Sequence, residues 1–195
     1  MTPGTGPAAD PEGRLRCPWA GSAPDYCDYH DNEWGIPVHG ETALFERLSL
    51  EAFQSGLSWL TILRKRDAFR GAFAGFRPAA VAAFTDADVA RLLADASIIR
   101  NRAKIEVTVR NARAVLELDA DLDSLLWSYA PDTPGRPAPR TTAEIPTRTP
   151  ESEAMAGALR RRGFTFVGPV TCYALMQATG MVDDHLSDCF RRTAG

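Results

Sequence analysis

RGFTFVGPVTCYALMQATGMVDDH, residues 162–185, decides the fold. Phe166-Val167-Gly168-Pro169 reads as a tight turn, and Val170 to Thr179 as an apolar helix that Gly180 closes. Upstream, Thr149-Pro150 opens another helix ending near Gly163, because Pro is favoured at the first helical position. Helical periodicity continues outward from this pair. Residues 101–118 carry Ile105, Val109, Ala112 and Leu116 on one stripe, and Leu122 to Tyr129 make a shorter helix. Thr85 and Asp88 form an N-terminal cap before Val89, Leu92 and Leu93, with Asp where a capping box prefers Glu. Residues 41–55 place Leu44, Phe45, Leu48 and Phe53 at helical spacings before Gly56, and Ser58 to Phe69 reads as one further helix. No stretch alternates as a strand and no unit repeats, so the expected class is mostly α.

The 195 residues suffice for one buried core, expected over 15–192 as a single domain. Residues 1–14, rich in Pro, Gly and Ala without the apolar stretch of a signal peptide, are expected to be a disordered lead-in. Residues 131–150, rich in Pro and Thr, are expected to be a surface connection within the domain. No apolar run approaches the roughly 18 residues of a membrane span. A cytoplasmic monomer with four reduced cysteines is the expectation. The net charge of −3 speaks against nucleic acid, but its distribution does not. Residues 64–113 hold eleven Lys/Arg against five acids, a local charge of +6. Local charge sets affinity for phosphate, although a solvated helical surface accounts for the same pattern.

Two clusters carry chemistry. Cys17, His30, His185 and Cys189 are candidate metal ligands, the last two at i,i+4, a spacing that on a helix would put them on one face. Four such ligands would form a closed structural zinc site, yet buried cysteines and surface histidines explain them as well, since no close Cys pair is present. The second cluster, YCDYHDNEWG at 26–35, adds Tyr26, Tyr29 and Trp34 to Trp19 upstream and Trp59 downstream. Aromatic faces stack on nucleobases, but they also fill cores. The core reading is the better one for Trp19, and both stand for Tyr29 and Trp59. Glu51 lies among Leu50, Phe53 and Leu57, where a buried charge without a purpose would be costly.

RCPW at 16–19, YHDNEWGIP at 29–37, LEAFQSGLSW at 50–59, ASIIRNRAKI at 96–105, EIPTRT at 144–149 and the opening stretch together resemble the DNA-3-methyladenine glycosylase I family, of the helix-hairpin-helix glycosylase superfamily. The resemblance implies one helix-hairpin-helix glycosylase domain, with a zinc clasp of Cys17, His30, His185 and Cys189 joining its two ends. It places the base-recognition carboxylate on Glu51 and the stacking residues on Tyr29 and Trp59, with Tyr26 and Trp34 bordering the pocket. The turn at Gly168 looks like the superfamily's phosphate-binding hairpin, with Gly163 and Gly168 allowing close backbone approach. Arg100, Arg102 and Lys104 are the candidate phosphate contacts. Ser97 stands where relatives commonly carry Gly.

The implied activity is hydrolytic release of 3-methyladenine from alkylated double-stranded DNA, without strand cleavage because no Lys is placed by motif as a nucleophile. The superfamily's usual catalytic Asp is absent from the family pattern. Asp183 and Asp184 are read as outer partners of the zinc site through their adjacency to His185, with a catalytic role as the alternative. Two other functions stand beside this one. A zinc-stapled DNA-binding module without catalysis would have no use for Glu51, and a catalytic zinc hydrolase would need an open coordination position.

Overall fold

Caps set the helix starts in the computed structural model, which describes residues 5–131 and 137–192. Asp88 accepts from both the backbone N–H and the hydroxyl of Thr85 at 2.9 Å, as the sequence led us to expect. Thr149 accepts from Ser152 N–H while Pro150 occupies the first helical position. Among the described residues the helices are α1 (Pro24–Asn32), α2 (Glu41–Gln54), α3 (Trp59–Leu63), α4 (Arg66–Ala72), α5 (Pro78–Ala82), α6 (Asp86–Ala94), α7 (Arg102–Leu116), α8 (Leu122–Trp127), α9 (Pro150–Arg161) and α10 (Pro169–Ala178). The fold is mostly helical.

Three expectations need correction. Ser58 to Phe69 is not one helix: the backbone leaves helical geometry at Lys65 (φ −104°, ψ 1°), splitting α3 from α4. The lead-in is ordered from residue 5. Ala8–Ala9 (β1) pairs antiparallel with Leu15–Arg16 (β2), and Arg16 is paired with both Asp10 and Asp31. A short strand pair joined by a tight turn and fixed by charge escapes a periodicity test, which needs longer runs. The helices α1 and α5 also lie outside the expected set. Residues 1–4 of the lead-in, 132–136 of the connection and the last three residues lie outside the described residues.

Helix α2 runs through the middle of the core, packed against α7, α8 and α10. Its Phe53 meets Phe69 at 4.6 Å between ring centroids, and Phe73 stacks on Phe76 at 5.5 Å. Such aromatic packing contributes roughly 0.5–1.5 kcal/mol per pair beyond burial. The end of α10 docks on residues 35–38, where Val38 N–H donates to the Thr179 carbonyl. Gly180 makes that approach possible. Its φ is +71°, and a Cβ there would lie 2.6 Å from Pro37 N and 2.8 Å from Gly35 O. The last turn of α2 and the first turns of α10 are thereby held side by side around a cavity.

Candidate functional site

A cavity of about 350 Å³ opens between α1, α2 and α10, within the size range of small-molecule sites. Trp19, Tyr26, Tyr29, Trp34 and Trp59 supply aromatic wall, and Glu51 lies among them. Every residue expected to form the pocket is brought there. Trp19, read as core, is half-buried and lines the same cavity, its ring 4.8 Å from Tyr26 and 5.2 Å from Trp34. Tyr29 and Trp59 touch each other at 5.4 Å with planes inclined by 44°. A base held between two parallel faces needs about 7 Å, twice the optimal carbon separation. As placed, these rings form a tilted corner, and a slot between them opens only when they part. Trp59 Nε1 is buried without a hydrogen-bond partner among the described residues.

Glu51 sits on the last turn of α2 and is 6% exposed. Burial pushes its carboxyl up to about 8, against the opposing pull of Arg47 one turn earlier. Arg47 is itself committed elsewhere. It donates to Glu33 at 2.8 Å, and Arg66 grips the same carboxylate through two bonds of 2.6 and 2.7 Å. Burial acts to raise Glu33, but the bonds from Arg66 and Arg47 outweigh it and hold Glu33 at about 2. Two carboxylates near one arginine thus have opposite characters. Burial, with Glu51 adding to it, also raises the hydroxyls of Tyr26 and Tyr29 above the usual tyrosine range.

Several lining groups carried no signal in the sequence. Thr142, Ile145, Pro146 and Thr147 reach the cavity from the Pro/Thr-rich connection, where no periodicity marks an inward side. Tyr173 and Gln177 line it from α10. Their i,i+4 spacing was visible, but only the docking of α10 on α2 gives it meaning.

The metal-ligand candidates also converge. One ligand atom from each of Cys17, His30, His185 and Cys189 lies within 4.8 Å of the other three, and all four residues are buried. Cys189 Sγ is 3.4 Å from His30 Nε2 and 3.6 Å from His185 Nδ1, and Cys17 Sγ is 3.8 Å from His185 Nδ1. Tetrahedral zinc bonds of about 2.3 Å to sulfur and 2.0–2.1 Å to nitrogen put neighbouring S and N ligands about 3.5 Å apart. The donor set fits. The remaining imidazole nitrogens are also accounted for: His30 Nδ1 donates to Asp31 at 2.8 Å and His185 Nε2 to the Trp34 carbonyl at 3.2 Å. Both acceptors lack hydrogen, so in a neutral imidazole these bonds leave the nitrogens facing the sulfurs as the lone-pair donors that a metal would take. Asp183 accepts from the backbone N–H of His185 and lies beside Arg192. Asp184 turns instead toward Tyr173 and Gln177.

The turn between α9 and α10 is pinned by Asn111, which donates to the Thr165 carbonyl and accepts from Thr165 N–H. Gly163 takes φ +85°, Phe166 takes φ +58° with 47% of its surface exposed, and Gly168 caps α10. Arg100 and Arg102 are exposed, the latter 3.2 Å from Glu106. Lys104 is not available to a ligand. It is 8% exposed, and its ammonium donates to the Phe53 and Ser55 carbonyls at the end of α2. Burial acts to lower the Lys104 ammonium, and the carbonyls and dipole at the helix end offset part of that cost. Ser97 donates to Asp95 through backbone and hydroxyl, a local turn at a distance in sequence from the cavity residues.

The methyladenine glycosylase profile matches residues 19–192. The chain is 42% identical over 182 residues to the DNA-3-methyladenine glycosylase of Haemophilus influenzae, covering 92% of this chain and 98% of that one. It is 45% identical over 177 residues to DNA-3-methyladenine glycosylase 1 of Escherichia coli, covering 89% and 95%. A variant 3-methyladenine DNA glycosylase I solved in complex with 3-methyladenine superposes with a TM-score of 0.86 at 34% identity, over 92% of this chain and 98% of that one. On a match that runs almost end to end, the chain belongs to the methyladenine glycosylase family.

Proposed function

We propose that this chain is a monofunctional DNA glycosylase that extrudes 3-methyladenine from alkylated duplex DNA and releases it by hydrolysis, within base excision repair. The observation that carries the proposal is a buried carboxylate, Glu51, on an aromatic-walled cavity of about 350 Å³. Methylation at N3 leaves the nucleotide cationic, so its glycosidic bond is weakened and the base departs neutral. The protein then has to hold the base, reject normal adenine and favour a transition state with positive charge on the sugar. Glu51 complements the cationic ring and accepts from its edge. Tyr29 and Trp59 stack on it, with Tyr26 and Trp34 bordering, in the cation–π sense. A DNA-binding module without catalysis would have no use for so costly a carboxylate.

Strand cleavage through a lysine Schiff base has little to support it. The two lysines of the chain have their ammonium groups on backbone carbonyls, Lys65 at Ser97 and Lys104 at Phe53 and Ser55. Cys17, His30, His185 and Cys189 would hold one structural zinc, which would supply a crosslink between the two ends of the chain. The α9–α10 pair is read as the helix-hairpin-helix, with N–H groups around Gly168 at the start of α10 facing a phosphate and Arg100 and Arg102 adding charge. Cysteines without disulfides suit a cytoplasmic protein, which we take to act as a monomer. No helix among the described residues is long and apolar enough to cross a membrane. Bases released from methylated DNA, separated by chromatography, test the activity directly. Appearance of free 3-methyladenine without strand breaks supports it, and its absence overturns it.

A further inference from the structure

Glu51 is not the sole buried carboxylate beside the cavity. Asp184 is 1% exposed, and its Oδ2 accepts from Tyr173 Oη–H and from Gln177 Nε2–H, each at 2.7 Å. Both donors lie on α10, one turn apart, and both line the cavity. Asp184 itself is not among the lining residues. Such an arrangement does more than join two elements. A glutamine amide can present either its N–H₂ or its oxygen by rotating half a turn, so on its own it recognises donors and acceptors alike. An ionised carboxylate beneath it accepts and does not donate, which fixes the nitrogen on Asp184 and turns Oε1 away from it. The tyrosine hydroxyl hydrogen is drawn to the same oxygen.

We propose that Asp184 is a positioning residue that sets the hydrogen-bond polarity of the α10 wall, making Gln177 an acceptor and so selecting a purine whose six-position donates. The proposal rests on the cavity receiving 3-methyladenine, and it adds how that base is told from its guanine counterpart. Adenine carries an exocyclic amine at the six-position and guanine a carbonyl. Methylation at N3 makes either base labile, so lability alone does not separate them. An acceptor wall pairs with the amine and meets the carbonyl with repulsion. Leaving a buried polar pair unmatched is the route by which sites reject near-isosteres most strongly.

Asp184→Asn keeps the size but can offer either an oxygen or an N–H₂ to Gln177, freeing its amide to turn. In the metal-loaded full chain this variant should release 3-methyladenine about tenfold more slowly. The ratio of 3-methyladenine to 3-methylguanine release from the same methylated DNA should fall by about fivefold or more. Gln177→Met should lower the ratio similarly, and adding it to Asp184→Asn should lower it little further, because Asp184 acts through Gln177. A carboxylate that only ties α10 to the C-terminal segment would slow both bases in parallel and leave the ratio unchanged. That result in Gln177→Met, which does not depend on Asp184→Asn folding, overturns the proposal. Wild type releasing no 3-methyladenine overturns the glycosylase reading as well. Wild type releasing it, with ratios unmoved in both variants, overturns the role of Asp184 alone.

Discussion

Exchanging Glu51 for Gln removes an ionisable group that folding takes out of water. Burial carries its carboxyl from 4.5 up to about 8. Below pH 4.5 the group is protonated whether the chain is folded or not, and it contributes nothing to pH dependence. Between 4.5 and 8 the unfolded chain has lost the proton that the folded chain keeps, so stability falls as pH rises. Above 8 the loss levels off. At about 1.4 kcal/mol per pKa unit, the charge of Glu51 costs about 3 kcal/mol at pH 7 and about 5 kcal/mol above pH 8.5. Glu51→Gln escapes this cost but buries an amide, itself about 1–3 kcal/mol when unpaired. The variant should therefore be the more stable protein at pH 8.5 by about 2–4 kcal/mol, roughly 5–10 °C in Tm for a chain of this size, and the advantage should disappear by pH 5. Comparing thermal melts of wild type and variant at each pH cancels the titration of every other group.

Activity should move the other way. Wild-type kcat/KM for 3-methyladenine release should rise with pH through about 8, as the carboxylate that complements the cation becomes populated in the free enzyme. Glu51→Gln should lack that limb and lie about 10–100-fold lower. The arriving cation also draws Glu51 back to its ionised form, so substrate binding at pH 7 should release close to one proton. A stability difference that stays constant from pH 5 to 9 would refute the desolvation argument, and wild-type activity in the variant would refute the assignment of the site.

Cys189→Ala should bind less than one metal ion per chain and melt lower, since a structural zinc carries on the order of 10 kcal/mol of folding energy; metal analysis and calorimetry on one preparation check this, and a metal-free variant with unchanged Tm would contradict it. Lys104→Met leaves the carbonyls of Phe53 and Ser55 unpaired and should cost about 2–4 kcal/mol, with no change in the salt dependence of duplex binding. Arg100→Ala and Arg102→Ala should do the reverse, lowering the slope of log K against log salt by about 0.9 for each phosphate they no longer neutralise, with stability within about 0.5 kcal/mol. Gly180→Ala places a methyl under 3 Å from the backbone of residues 35–37 at a positive φ, and should lower stability by more than about 3 kcal/mol in denaturant titration.

Lys104 and Glu51 mark where sequence reading succeeds and fails. Glu51 was legible because it breaks an apolar run, and a local violation of patterning points to a site whatever the tertiary arrangement. Lys104 sits in a run of basic residues and has nothing local to distinguish it from Arg102. Its inward turn depends on the end of α2, fifty residues away in sequence. The helix starts at Thr85 and Thr149 were legible for the same reason as Glu51, since a cap is satisfied within three or four residues. The approach of Thr142 and Ile145 to the cavity was not, because a Pro/Thr-rich connection has no periodicity to give it an inside. The four metal-ligand candidates fall between these cases. Their spacing allowed a zinc site among other readings, and only the meeting of residues 17 and 30 with 185 and 189 brings the donor atoms together.

The cavity and the Cys/His cluster are also one mechanical unit. Tyr29 and His30 are neighbours on α1, one turned to the cavity and the other to the sulfurs. Trp34 lines the cavity with its ring while its carbonyl accepts from His185, and its ring packs edge-on against that imidazole at 4.6 Å. Asp184, which holds the α10 wall, is bonded directly to His185 in the chain. A metal crosslink at the cluster would therefore fix α1, residue 34 and the segment after α10 relative to one another, and these carry three sides of the cavity. Helices of five to fifteen residues have little rigidity of their own, so a pocket assembled from several of them needs such a tie if its groups are to hold the separations that recognition requires. A structural metal there would perform no chemistry on the base and would still serve the site by holding its walls in place.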